Sequence, residues 1–269
     1  MFNTIKRDDK IFQSDAFQKD SLAFCIMESI RINVKKHPTP KIFSNGKDCI
    51  IINSDPEHSV IAWTSDDFKA KDELFEFLKK EFHNNTPFKI MSKKNFYDYL
   101  VKDHKIPELK VQTLGVYSCR KLNDITYIGH PDQAKQSEVE QVAQMLVNFD
   151  HETGENPNAK LSDYLELAQE FVSNPAYRVW RDNDEKIVAT ATIKINDTTP
   201  RISRVYTNHE DRGKSYAKML VHYLTDMAFE KGKNVMLFTD YDYLPSNRCY
   251  QAIGYELKCT LVNFVPPLQ

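Results

Sequence analysis

The sequence predicts an α+β (α/β) fold, a central, mixed, twisted sheet flanked by helices, built from two similar units in tandem. Three observations predict it. Strand-like and helix-like runs alternate from Lys47 onward. The order hairpin, helix, strand, helix, strand occurs twice, about 140 residues apart, so that "SVIAWTSDDFKAKDELFEFL" lies over "RISRVYTNHEDRGKSYAKMLVHYL" with a small gap. The 269 residues, 41% of them hydrophobic, suffice for one large domain or two of ordinary size. The boundary falls in "RKLNDI", near Asn123, giving units 1–123 and 124–269.

In the first unit "KDCIIINSDPEHSVIAWTS" reads as a strand, a turn and a strand. "KDELFEFLKKEF" is a helix, "PFKIMS" a strand, "KKNFYDYLVKD" a helix and "KVQTLGVYSCRKL" a strand. In the second, "ITYIG" (125–129) is the opening strand. Two helices follow, one with Val139, Val142, Ala143, Leu146 and Val147 on one face, the other in "KLSDYLELAQEFVSN". The polar stretch "DHETGENPN" (150–158) is the loop between them. "EKIVATATIKI" and "RISRVYT" pair as a hairpin. A helix then carries Tyr216, Met219, Leu220, Tyr223, Leu224, Met227 and Ala228 at steps of three and four, and Gly232 closes it. "NVMLFT" is a short buried strand, and "PSNRCYQAIGY" a helix with Ser246 or Asn247 near its start and Gly254 at its exit. "YELKCTLVNFV" is the last strand.

Charge and cysteine content exclude several functions. The net charge of -2 gives no electrostatic reason to bind nucleic acid. Lys79-Lys80 and Lys93-Lys94 read as solvated helix faces. Five cysteines, far apart and without a C-x-x-C pair, form neither a disulfide framework nor a metal site, and they fit a reducing cytoplasm. "MFNTIKRDDK" lacks the apolar stretch of a signal peptide, and no apolar run approaches the roughly 18 residues of a membrane span. Trp63 and Trp180 read as core or interface residues, His209 and His222 as surface ones.

The chemistry concentrates at the turn after "RVYT". A helix start presents unpaired N–H groups and partial positive charge, which suits phosphate. Gly213 permits close backbone approach, and Arg212 and Lys214 add charge. The first unit has "DDFKAKDE" at the corresponding turn; Asp66, Asp67, Asp72 and Glu73 there repel an anion. "GKS" matches the tail of a nucleoside-triphosphate loop, but the first glycine of that loop would fall at Asn208, and two acids follow it. That reading is set aside.

Residues 124–269 instead resemble the GNAT superfamily of acyl-CoA-dependent N-acyltransferases. The turn motif [QR]-x-x-G-x-[GA] falls on Arg212-Gly213-Lys214-Ser215-Tyr216-Ala217, and a second signal on Asn247, Tyr250 and Gly254-Tyr255. The chain departs from the family at Ser215, where glycine is usual; a negative φ there, with Oγ donating to a phosphate oxygen, is expected to keep the site. The resemblance implies that the backbone of Val205, Tyr206 and Thr207 lies along the pantetheine arm of acetyl-CoA. It implies that N–H groups from Arg212 to Ala217 hold the pyrophosphate and that Asn247 contacts the pantetheine or its covering loop. Tyr250 is implied as the acid that protonates the leaving thiolate, with Thr207 and Thr239 parting to open a cleft.

The acceptor is expected to be a primary amine of a small molecule or peptide, with Asp150, Glu152, Glu155 and Asp240 favouring a cation. Asp240, Asp242, Glu152 and Glu155 are candidate bases for the amine proton. No metal, nucleic acid or membrane partner is expected, and homo-oligomer formation is left open. The alternative readings are a packed core tyrosine at Tyr250 and a helix cap at Asn247, which can be both cap and ligand. Two other functions stay open: a non-catalytic acyl-CoA-binding sensor module, and an aminoacyl transferase with paired units, which would want a basic groove.

Overall fold

A computed structural model describes residues 1–56, 58–82, 88–103, 112–195, 199–232 and 234–266. Glu57 in the first predicted turn, Pro87 and Lys110-Val111 at two predicted strand starts, and 196–198 lie outside the described residues. The chain forms two compact units. Unit 1 is Met1–Val116, Thr239–Asp242 and Lys258–Gln269; unit 2 is Tyr117–Phe238 and Tyr243–Leu257.

The first repeat runs β1 (Asn3–Thr4), α1 (Asp15–Asp20), α2 (Cys25–Ile32), β2 (Lys41–Ser44), β3 (Cys49–Asn53), β4 (Val60–Thr64), α3 (Lys71–Phe82), β5 (Ile90–Lys93), α4 (Lys94–Asp103) and β6 (Gln112–Cys119). The second runs β7 (His130–Asp132), α5 (Val139–Thr153), α6 (Leu161–Ser173), β8 (Tyr177–Arg181), β9 (Ile187–Lys194), β10 (Arg201–Thr207), α7 (Tyr216–Phe229), β11 (Val235–Asp240), α8 (Leu244–Ile253) and β12 (Tyr255–Phe264). The two lists match element for element. Pairing matches as well. β1 to β4 and β7 to β10 pair antiparallel in chain order, while β4 with β5 and β10 with β11 pair parallel. The repeat of pattern is therefore a repeat of topology.

Each repeat's last strand begins in its own unit and ends in the other. Tyr117 and Cys119, at the end of β6, pack in the core of unit 2 with Trp180, Leu220, Tyr250 and Tyr255. Val262 and Phe264, at the end of β12, pack in the core of unit 1 with Ile51, Leu74 and Leu100. There β12 closes the sheet antiparallel to β5, Leu261 opposite Lys93 and Phe264 opposite Ile90.

Four sequence expectations are corrected. "ITYIG" is not a strand. The opening strand is β7, because Gly129 turns the chain at φ 81, where a Cβ would meet the Arg181 carbonyl at 2.0 Å. Instead, the Ile128 carbonyl accepts the Trp180 indole N–H at 2.8 Å and Tyr127 meets His222 at 2.7 Å. The loop 150–158 is helical through Thr153, whose hydroxyl bonds back to the Phe149 carbonyl (2.9 Å), and Gly154 at φ 70 ends the helix. Asn247 is not a helix cap, because Tyr243 takes the cap position of α8 and proline stands in its first turn, ahead of Asn247. Lys93 is no solvated helix face. It ends β5 and is held by Asp20 at 2.6 Å and Asp66 at 2.7 Å. Trp63 and Trp180 are both fully buried. Among the described residues no helix is long and apolar enough to cross a membrane.

Candidate active site

The site is built on β10 and the turn that leads into α7. Among the described residues the parallel ladder of β10 with β11 holds Arg201 opposite Met236 and Ile202 opposite Leu237, and stops there. On its other edge β10 stays paired with β9, but its register shifts between Ser203 and Tyr206. Arg204 sits in that bulge at φ 52, a left-handed conformation that residues with a Cβ rarely adopt. Two contacts hold it. Its guanidinium reaches the buried Asp150 carboxylate at 3.5 Å and lies over the Phe149 ring. Tyr164 donates to the other oxygen of Asp150. The bulge leaves Arg204 and Val205 out of register with β9.

After Thr207 the chain is fixed by Asn208, whose amide and side chain bond to the Val188 and Ile187 carbonyls at 3.0 Å. Asp211 comes next and is buried. Lys186 and Lys214 donate to it at 2.8 and 2.9 Å. Burial alone would raise its pKa; the two ammonium groups more than offset that and hold it below the ordinary carboxylate value. Lys214, expected to add charge to the turn, is paired with Asp211 within it.

The backbone then enters the left-handed region twice, at Gly213 (φ 79) and Ser215 (φ 67). The negative φ expected at Ser215 is not found. The serine takes the conformation that glycine takes at no cost, because the chain must reverse there to start α7 at Tyr216. Its side chain makes no capping hydrogen bond. A Cβ built on Gly213 meets nothing within 4 Å. Among the described residues the amides of Gly213, Lys214, Ser215, Tyr216 and Ala217 donate no hydrogen bond, and the first paired amide is that of Met219, to the Ser215 carbonyl at 3.1 Å. With Lys218, whose amide is likewise unpaired among the described residues, six consecutive donors at a helix start form an anion cradle.

Arg212 flanks the cradle. It donates to the Thr207 carbonyl at 3.2 Å and to the Glu152 carboxylate, and its guanidinium lies 5.7 Å from the Tyr206 ring centre. Tyr206 is buried and donates to the other oxygen of Glu152 at 3.3 Å. Burial, then the nearby Glu152 charge, pushes the Tyr206 hydroxyl pKa up. Glu155 is exposed in the loop after α5. Asp240 and Asp242 belong to unit 1, where Asp240 accepts the Asp242 amide at 2.9 Å.

Asn247 and Tyr250 lie three residues apart on α8 and are 5% and 7% exposed. Tyr250 shares the unit 2 core with Tyr216, and its ring centre lies 6.1 Å from that of Tyr255. A tyrosine keeps its proton at neutral pH, and burial pushes the Tyr250 pKa further up. Among the described residues nothing hydrogen-bonds its hydroxyl. At the corresponding turn of unit 1, Asp66 accepts from Lys93 at 2.7 Å and Asp72 from Tyr99 at 2.7 Å.

Sequence reading named the turn residues but missed the groups that shape it. The left-handed Arg204 carries no glycine to announce it. The Asp150–Tyr164 and Asp211–Lys186 pairs join residues on different elements, which spacing does not reveal.

Residues 143–255 match the model of the Acetyltransferase (GNAT) family. No curated protein matches the chain. Solved structures share the fold over nearly its whole length. The GCN5-related N-acetyltransferase of Sphaerobacter thermophilus aligns over 99% of this chain and 96% of its own, with 12% identity and a TM-score of 0.68. A GNAT-family acetyltransferase of Colwellia psychrerythraea aligns over 99% and 100%, with 13% identity and a TM-score of 0.57. A tandem GNAT protein from the clavulanic acid biosynthesis pathway aligns over 100% and 99%, with 8% identity and a TM-score of 0.54.

Proposed function

We propose, from the premise that residues 143–255 are a GNAT acetyltransferase domain, that the second unit transfers the acetyl group of acetyl-CoA to a primary amine. The observation that carries this reading is the row of free amides from Gly213 to Ala217, open at Gly213 and flanked by Arg212. These donors fit a diphosphate. The first unit, whose turn is acidic and closed by Lys93, serves as structure.

Bound acetyl-CoA supplies the acyl group as a thioester. The chain's own residues do the rest. The amides of the α7 start and Arg212 hold the diphosphate. The edge of β10 from Ser203 onward, free of the β11 ladder, takes the pantetheine arm and offers an N–H to the developing oxyanion. Tyr250, protonated at neutral pH, donates to the sulfur as the amide bond forms and the thiolate leaves. Glu152 and Glu155 give the acceptor side a negative charge that suits a protonated amine. The acceptor's surplus proton leaves through a carboxylate or through water.

The test is turnover of acetyl-CoA with a panel of polyamines, amino acids and peptides. Tyr250→Phe should lower kcat by about 10² or more while leaving CoA affinity within about twofold. An unchanged kcat across pH removes Tyr250 as the acid. Tight CoA binding with no amine acetylated would make the protein an acyl-CoA-binding module.

A further inference from the structure

Glu152 is the one side chain seen here to bond both to the turn arginine and to the β10 aromatic. One of its oxygens accepts from Arg212 and the other from Tyr206 at 3.3 Å. Its position is electrostatically unfavourable without a cation, because it stands in the last turn of α5, where the helix dipole opposes a carboxylate. The pair is partly exposed, with Arg212 at 36% and Glu152 at 44%.

Three other cations near the turn have partners of their own. Lys186 and Lys214 are bound to Asp211, and Arg204 to Asp150. Among the described residues Arg212 alone links the anion cradle to the Glu152 carboxylate. Arg212 holds Glu152 through one guanidinium N–H, and a guanidinium that turns to a diphosphate releases it. Glu152 then keeps only the Tyr206 hydroxyl.

We propose that Glu152 is a shared counter-ion: it holds Arg212 until a diphosphate takes it, and then receives the protonated amine of the acceptor. The inference rests on the acetyl-CoA reading of the site and deepens it. It assigns the acceptor to the cationic amines and couples the two substrates, each strengthening the binding of the other by the same factor. Glu152 thereby acts on CoA as a positioning residue, through Arg212.

The experiment is calorimetric titration of the full chain with CoA, and with pantetheine as a probe that lacks the diphosphate. An exposed ion pair of this kind corresponds to a few-fold in affinity. Glu152→Gln is therefore expected to bind CoA about two- to fivefold tighter, with pantetheine binding unchanged. In an Arg212→Ala background the same change should have no effect on CoA. In turnover assays Glu152→Gln should raise KM for the amine more than it lowers kcat, a split that a merely structural role does not produce. Unchanged or weaker CoA binding by Glu152→Gln, or tightening that persists without Arg212, overturns the proposal while leaving the acetyl-CoA reading intact. A wild-type chain that binds no CoA removes both. Glu152→Asp, which keeps the charge, should keep the wild-type preference for cationic over neutral amines; loss of that preference counts against the proposal.

Discussion

Three residues of the second unit, Glu185, Arg204 and Ser215, hold a backbone conformation that a Cβ resists, and the last two shape the site. Arg204 at φ 52 is held by Asp150 and Phe149 and shapes the bulge in β10. Ser215 at φ 67 has no such support, since its side chain caps nothing. Left-handed backbone costs a residue with a Cβ roughly 1–2 kcal/mol. Glycine avoids that cost but adds about 0.4–1 kcal/mol of unfolded-state entropy. Ser215→Gly is therefore expected to stabilise unit 2 by about 0.5–1 kcal/mol. The urea midpoint of the second unit should rise with an unchanged slope. A lower midpoint would mean that the serine hydroxyl contributes something its geometry does not reveal.

At the scale of elements, the end of β12 carries the first unit. Phe264 is 2% exposed and lies edge-on to Tyr97, ring centres 5.2 Å apart. Removing a buried phenylalanine leaves a cavity, and Phe264→Ala should cost about 3–5 kcal/mol. The loss should appear in the unfolding of unit 1, as earlier exposure of the Trp63 indole, and not in that of unit 2. Equal loss in both units would show that β12 acts on them as one. Most helices and strands were legible in the sequence because their apolar periods are long, as in α7, or because β-branched runs are dense, as in β3 and β9. β2 and β8 were passed over: "KIFS" and "YRVWR" are short, and charged residues interrupt them. "ITYIG" has strand composition, yet Tyr127 and Ile128 are exposed and no strand pairs with them. The anion cradle was legible because one stretch of chain builds it. The Glu152–Arg212–Tyr206 cluster was not, because α5, β10 and the turn meet only in the fold.

For the whole molecule, sequence repeat and folded unit do not coincide. A cut after Asn123 follows the repeat, but it leaves unit 1 without Lys258–Gln269 and unit 2 without Tyr117 and Cys119. The fragment 1–123 then keeps the open edge of β5, which loses its partner residues Leu261 to Phe264. An unpaired, apolar edge associates with other chains. The core that remains, around Ile51, Leu74 and Leu100, loses the side chains of Val262 and Phe264 that cover it. Fragments 1–123 and 124–269 expressed separately should therefore aggregate or unfold without a cooperative transition, and mixing them during refolding should restore both. The measurement is calorimetric melting of each fragment and of the refolded mixture. A sharp, reversible transition from 1–123 alone would mean that its sheet closes without β12, and that the exchange of last strands is not needed for folding.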